Sequence, residues 1–245
     1  MRTTEKIVAT FVIALSFWAI LMMVATNFQG PHSNRILLVE LGADATSLNE
    51  AVQAAGGKSD REGIAHNIQM VIRNTYMDLV FILLYWLTFV SLSYLAGILG
   101  QRLLAVCSAV CISFAALADL LENHSILVAM HVKTFTDAVA VDISEYSQVK
   151  WLFFFLAALL LGLAGALNRR TSDLRRITGG VFIAAGLCGL LGVGRSRVSF
   201  DFAAGLINVG IFLISAALLL TVWKIYRSLK ELNQLEHEEP IRNHA

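Results

Sequence analysis

Charge is scarce in this sequence. Only 15% of its 245 residues are Asp, Glu, Lys or Arg, while 57% are hydrophobic and the mean hydropathy is +0.67. A soluble domain carries about 25% charged and about 45–50% apolar residues. The formal net charge is +1, which excludes a strong pull toward nucleic acid, and no DNA- or RNA-binding motif occurs. Cysteine is rare too. Cys107, Cys111 and Cys188 all lie in apolar runs, which excludes the disulfide framework of a small secreted domain and makes them small buried hydrophobes. Cys107 and Cys111 share a helix face, but no further soft ligand stands nearby to complete a metal site. The sequence has no HExxH, no Gly-rich phosphate loop and no GxSxG elbow. None of its six histidines sits centrally in an apolar run, which disfavours haem ligation by paired intramembrane histidines. No cofactor and no metal are expected.

What is present is a set of long apolar runs, the signature of membrane-spanning helices. Residues 7–26 form an uncharged run of 20 residues behind Arg2 and Lys6. It exceeds the apolar core of about 7–15 residues in a signal peptide, and Val24-Ala25-Thr26 is a poor cleavage site, so it reads as a retained first span. Further spans are expected at 74–99, 103–130, 151–167, 177–194 and 202–223. The expected fold class is therefore an all-α membrane protein, a bundle of six transmembrane helices forming one membrane domain over 1–245.

Between the runs lie polar segments. Residues 28–73 form an extracytoplasmic loop or cap punctuated by Pro31, Gly42, Gly56 and Gly57. Within it Ser47 and Glu50 have the spacing of a capping box for a short helix over 47–55. A second amphipathic helix, about 60–73, feeds directly into the second span. Residues 131–148 read as a second polar loop carrying Asp137, Asp142 and Glu145. Residues 168–176 form a basic loop with Arg169, Arg170, Arg175 and Arg176. The tail 224–245 reads as a mixed-charge amphipathic helix that frays near Pro240.

Short basic loops face the cytoplasm. The arginine loop 168–176 thus sets both termini cytoplasmic in the cell (inner) membrane and puts the two acidic loops outside, with Arg195 and Arg197 as exceptions. The bilayer is the expected partner. Gly162 and Gly165 are three apart, as are Gly186, Gly189 and Gly192. Such small-residue faces let helices approach closely, within the chain or between copies in a homo-oligomer.

The organising stretch is 74–123. In the second run Asn74, Asp78, Tyr85 and Thr88 are spaced 4, 7 and 3 apart, one stripe of a 3.6-residue helix. In the third, Asp119, Glu122 and Asn123 share a face. An acid at the bilayer centre costs about 2.5–3.5 kcal/mol, so such residues are rare and face the bundle interior. The turn Gly100-Gln101-Arg102 makes the two helices antiparallel neighbours. Asp78, Tyr85, Asp119, Glu122 and Asn123 are thereby expected to form one polar cluster toward the outer leaflet, with His66, Arg73, His124 and His131 close by. Arg73, Tyr85, Asn74 or shared protons would compensate the acids.

The order of an acidic outer loop with a helix, then Arg73-Asn-Thr-Tyr-Met-Asp78, Tyr85 and Asp119-Leu-Leu-Glu-Asn123 resembles a family of uncharacterised bacterial integral membrane proteins over about residues 40–127. The resemblance implies topology and no activity. Three roles remain open for the cluster: a helix lock, a pocket for an ion or small ligand of unknown identity, or an enzyme site. In the last, a hydrolase-like membrane enzyme would use Asp119 or Glu122 as general base, or acids and histidines holding a metal.

Overall fold

The computed structural model describes residues 61–132, 136–167, 173–195 and 200–242, with residues 12, 13, 15, 16 and 46 beside them. They are helical apart from Leu99–Gln101 and Thr136, and no strand occurs among them. We number the helices α1 (Arg61–Ile98), α2 (Arg102–Val132), α3 (Asp137–Leu167), α4 (Asp173–Arg195) and α5 (Phe200–Arg242). Each packs on the next along the chain, and α1 also reaches α3. All five contain a stretch long and apolar enough to cross a membrane, so this all-α bundle has the build of an integral membrane protein.

The exposed surface follows the same logic. On α2, Leu103, Val106, Val110, Phe114, Leu117 and Leu121 are exposed, at the 3–4-residue spacing of one helix face. The opposite face buries Ser108, Ile112, Ala115, Asp119 and Glu122. Apolar outside and polar inside is the arrangement for a protein solvated by lipid tails.

The helix at 60–73 runs directly into the span at 74–99, as the sequence implies, and the two form α1. Other boundaries differ from the sequence expectation. The described part of the segment 131–148 is almost all helix: α2 runs on to Val132, and α3 already begins at Asp137 and runs for 31 residues. Thr136 caps it: its Oγ1 accepts from Val139 N–H at 3.4 Å, satisfying a free donor of the first turn. The acids that suggested a loop occupy its outer face, where Asp142 and Glu145 are exposed, while Ala140, Ile143, Ser144 and Ser147 are buried on the other. A helix with one polar face has the same local composition as a polar loop. Likewise α4 begins at Asp173 and includes Arg175 and Arg176, and α5 runs past Pro240 to Arg242. The expected first span at 7–26 and the cap over 28–60 lie outside the described residues except for residues 12, 13, 15, 16 and 46, which are helical; Val12 is buried in the main core cluster.

The turn between α1 and α2 is closed by the backbone. Gly100 has φ +98°, Gly100 N–H donates to Gly97 O and Gln101 N–H to Ala96 O, both at 3.1 Å. This is the paired helix ending that glycine makes possible.

The glycines of α3, α4 and α5 form an internal seam. A Cβ on Gly162 would lie 2.7 Å from Ile183 N, and one on Gly186 2.7 Å from Leu159 Cβ. Fully buried Phe155 sits in a notch between Gly189 and Gly210, where an added Cβ would press on its ring from α4 and from α5. Gly180, Gly194 and Gly205 face open space. Gly189→Ala should therefore lower stability by roughly 1–3 kcal/mol through overpacking. Gly180→Ala should be neutral or raise it by about 0.5–1 kcal/mol through helix propensity. Thermal unfolding of the two variants in detergent checks the contrast, and equal shifts would contradict the notch.

Candidate functional site

Three helices converge on one buried network. From α1 come Asp78 and Tyr85, two turns apart on one face; from α2 come Asp119, Glu122 and Asn123. From α3 comes Lys150, which falls between the expected loop 131–148 and the expected span 151–167. Lys150 Nζ lies 2.6 Å from Glu122 Oε2 and 3.2 Å from Asp119 Oδ1. Tyr85 Oη donates to Asp119 Oδ2 at 3.0 Å. Asn123 Nδ2 donates to Asp78 Oδ2 at 2.8 Å. The two oxygens of Asp119 thus face different helices, one toward Tyr85 and the other toward Lys150.

The charged members are deeply buried: Asp119 is 3% exposed, Glu122 1% and Lys150 6%. Asp78 is half-buried at the edge. Asp119 lies two residues beyond the middle of α2, and Lys150 two residues before the middle of α3. At about 1.5 Å per residue each is ~3 Å along the axis from its helix midpoint. The network therefore sits at mid-length of the bundle, because α3 begins at Asp137, well before the expected span 151–167, while ending at the expected Leu167.

The register between α2 and α3 is marked by Ser108 Oγ, which donates to Ala157 O at 3.1 Å. Counting ten residues along both antiparallel helices brings Ser147 to the level of Ala118 and Asp119. Lys150 is rooted about a turn away, level with Ala115, and its stem runs along α2 to the carboxylates. Below the ammonium lies an aromatic floor. Its Nζ is 5.0 Å from the centroid of the Trp151 ring, within cation–π range. Trp151 packs on Phe154 and Phe155, and Phe154 meets Tyr85 edge-on at 5.5 Å.

Other expected members stand apart. Thr88 is buried, but its hydroxyl donates to Leu84 O in its own helix at 2.8 Å. Asn74 is half-buried and joins none of the network's hydrogen bonds. Arg73, His124 and His131 are exposed, so the counter-charge of the acids is Lys150 rather than Arg73. Among the described residues no group of three or more His, Cys, Asp or Glu is placed to hold a metal ion.

No family model, no curated protein and no solved structure matches this chain. The site must therefore be read from its own geometry. A usable signal for Lys150 existed in the sequence. Ile143, Ser147, Lys150 and Phe154 are spaced 4, 3 and 4 apart, a helical stripe running straight through the supposed loop. Intramembrane acids also call for a cation on a facing helix.

The pairing has a direct energetic test. Lys150→Met removes one partner and leaves two carboxylates in the interior, which should cost about 3–5 kcal/mol. Adding Asp119→Asn and Glu122→Gln removes the charges together and should recover most of that loss, because replacing a whole buried ion network is often close to neutral. Denaturant unfolding in detergent separates the cases: equal losses in the single and triple variants would mean that Lys150 does not compensate these acids.

Proposed function

We propose that this chain is a multi-pass integral membrane protein that holds a small ion or ligand at the cluster of Asp78, Tyr85, Asp119, Glu122 and Asn123, with Lys150 as its sixth member. The observation that carries this reading is the burial of two carboxylates and an ammonium at mid-length of an apolar bundle. A buried ion pair adds little net stability over apolar side chains of similar volume, and polar contacts between membrane helices average only about 0.6 kcal/mol. Packing alone therefore gives a modest reason for three buried charges, whereas ionisable groups inside a bundle commonly mark ion or substrate pathways.

A second reading, the helix lock, is favoured by one observation: the four contacts 85–119, 78–123, 119–150 and 122–150 each join two different helices. The enzyme reading has less support. A general base must turn a lone pair toward the proton that it takes, and both oxygens of Asp119 already face protein partners. Kinship with the bacterial family over residues 40–127 is part of the proposal. It rests on the sequence motifs Arg73-Asn-Thr-Tyr-Met-Asp78, Tyr85 and Asp119-Leu-Leu-Glu-Asn123 alone.

A thermal-shift screen of the purified protein against inorganic cations and small metabolites distinguishes binding from locking. A ligand at about 100 times its Kd stabilises the folded state by about 2.7 kcal/mol. Under the binding reading at least one compound raises the melting temperature of the wild type and not that of the Asp119→Asn/Glu122→Gln variant. Under the lock reading the variant shifts stability and no compound acts through these residues.

The proposed topology has six spans, with 7–26 as the first and both termini cytoplasmic. It is supported by the length of that run, the arginines at 169–176 and the burial of Val12 in the core. Cysteines placed at Ser59 and Ser172 should then label from opposite sides of intact cells, Ser59 from outside; labelling of both from outside would reject it.

A further inference from the structure

The ammonium of Lys150 occupies a place bounded by oxygens. Glu122 Oε2 and Asp119 Oδ1 approach it at 2.6 and 3.2 Å from one side. A third oxygen stands at the same level. Ser147 is fully buried, and its hydroxyl has no hydrogen-bond partner among the described residues. Buried hydroxyls are nearly always paired, so one that is not asks for an explanation. Its direction follows from the helix. Ser147 lies seven residues before Phe154, on the same line of α3, and the Phe154 ring meets Tyr85, whose hydroxyl holds Asp119. Ser147 therefore lies on the face of α3 that meets α1 and α2, at the level of Asp119. Two carboxylates and a hydroxyl are hard oxygen donors, the set that suits alkali and alkaline-earth cations rather than soft metals.

We propose that Asp119, Glu122 and Ser147 form a binding site for a monovalent alkali cation, and that the Lys150 ammonium is its tethered competitor. The inference rests on the ion-binding reading above and names the ion class and the gate. A monovalent ion is specified because the two carboxylates and the tethered ammonium together carry one negative charge, which a monovalent cation neutralises and a divalent ion would overshoot. The ammonium, moved off the carboxylates, stays held by the face of the Trp151 ring, whose centroid already lies 5.0 Å from Nζ and attracts a cation.

The test is a titration of the purified full chain with sodium and potassium chloride, against N-methylglucamine chloride at equal ionic strength. Melting temperature and tryptophan fluorescence are the readouts. Alkali salt should stabilise the wild type beyond the organic salt and change the fluorescence, and Trp151→Phe should remove the fluorescence change. Lys150→Met, which deletes the competitor, should bind the alkali ion at least tenfold more tightly and regain with it part of its lost stability. Ser147→Ala keeps the ion pair and should fold normally, but should bind the ion several-fold more weakly. If Lys150→Met does not fold, the comparison of wild type with Ser147→Ala decides. Equal responses to alkali and organic salt, or an affinity indifferent to both Lys150→Met and Ser147→Ala, would overturn the proposal. If another compound stabilises the wild type through Asp119 and Glu122 while alkali ions do not, the ion class is wrong and the binding reading survives; if nothing does, both fall.

Discussion

A carboxylate placed in an apolar bundle must find a positive partner or a proton, because the cost of an isolated ion there is far larger than any single packing contact. The pairing of Asp119 and Glu122 with Lys150 meets that requirement and arranges much else. It joins the middles of α2 and α3. It holds Asp119 so that its other oxygen can accept from Tyr85, which adds α1. One turn further along α2, Asn123 takes Asp78 in the same way. Asp119 and Glu122 stand on α2 and the ammonium on α3, so these acids meet their counter-charge only when the bundle is assembled.

The opposite half of the bundle depends on steric fit rather than charge. The α3–α4–α5 packing is set by glycines that leave room for Phe155 and for backbone contact, with Gly162 against Ile183 and Gly186 against Leu159. Dispersion replaces the hydrophobic drive that lipid does not supply. The two halves meet on α3, whose first half carries Ser144, Ser147 and Lys150 and whose second half carries Phe154, Phe155 and Gly162. Polar specificity and close packing therefore lie on one helix, joined by the aromatic floor of Trp151, Phe154 and Phe155.

Much of this was legible beforehand. The apolar runs announce helices by composition alone, and the 4, 7, 3 spacing of Asn74, Asp78, Tyr85 and Thr88 places them on one face. The three-residue turn makes α1 and α2 antiparallel, which suffices to bring Tyr85 to Asp119 and Asp78 to Asn123. Helix limits were less legible where charge and helix coincide. Asp142 and Glu145 give the start of α3 the composition of a loop, which masks the buried stripe of Ala140, Ile143, Ser147 and Lys150 on its other face. Thr88 illustrates the converse: it lies on the right stripe and is buried, yet a short β-hydroxyl on a helix reaches its own backbone carbonyl more readily than a neighbouring helix.

By itself the sequence determined the class of the protein, the faces of α1 and α2 and the antiparallel pairing of those helices, because all three follow from local composition, helical periodicity and a short turn. Only the tertiary structure decided which cation answers the acids, at what depth the network lies, and which glycines pack inside. Those depend on how far each helix extends and on the register in which α3 docks. That register is set by the packing of many side chains at once, and no local stretch of residues specifies it.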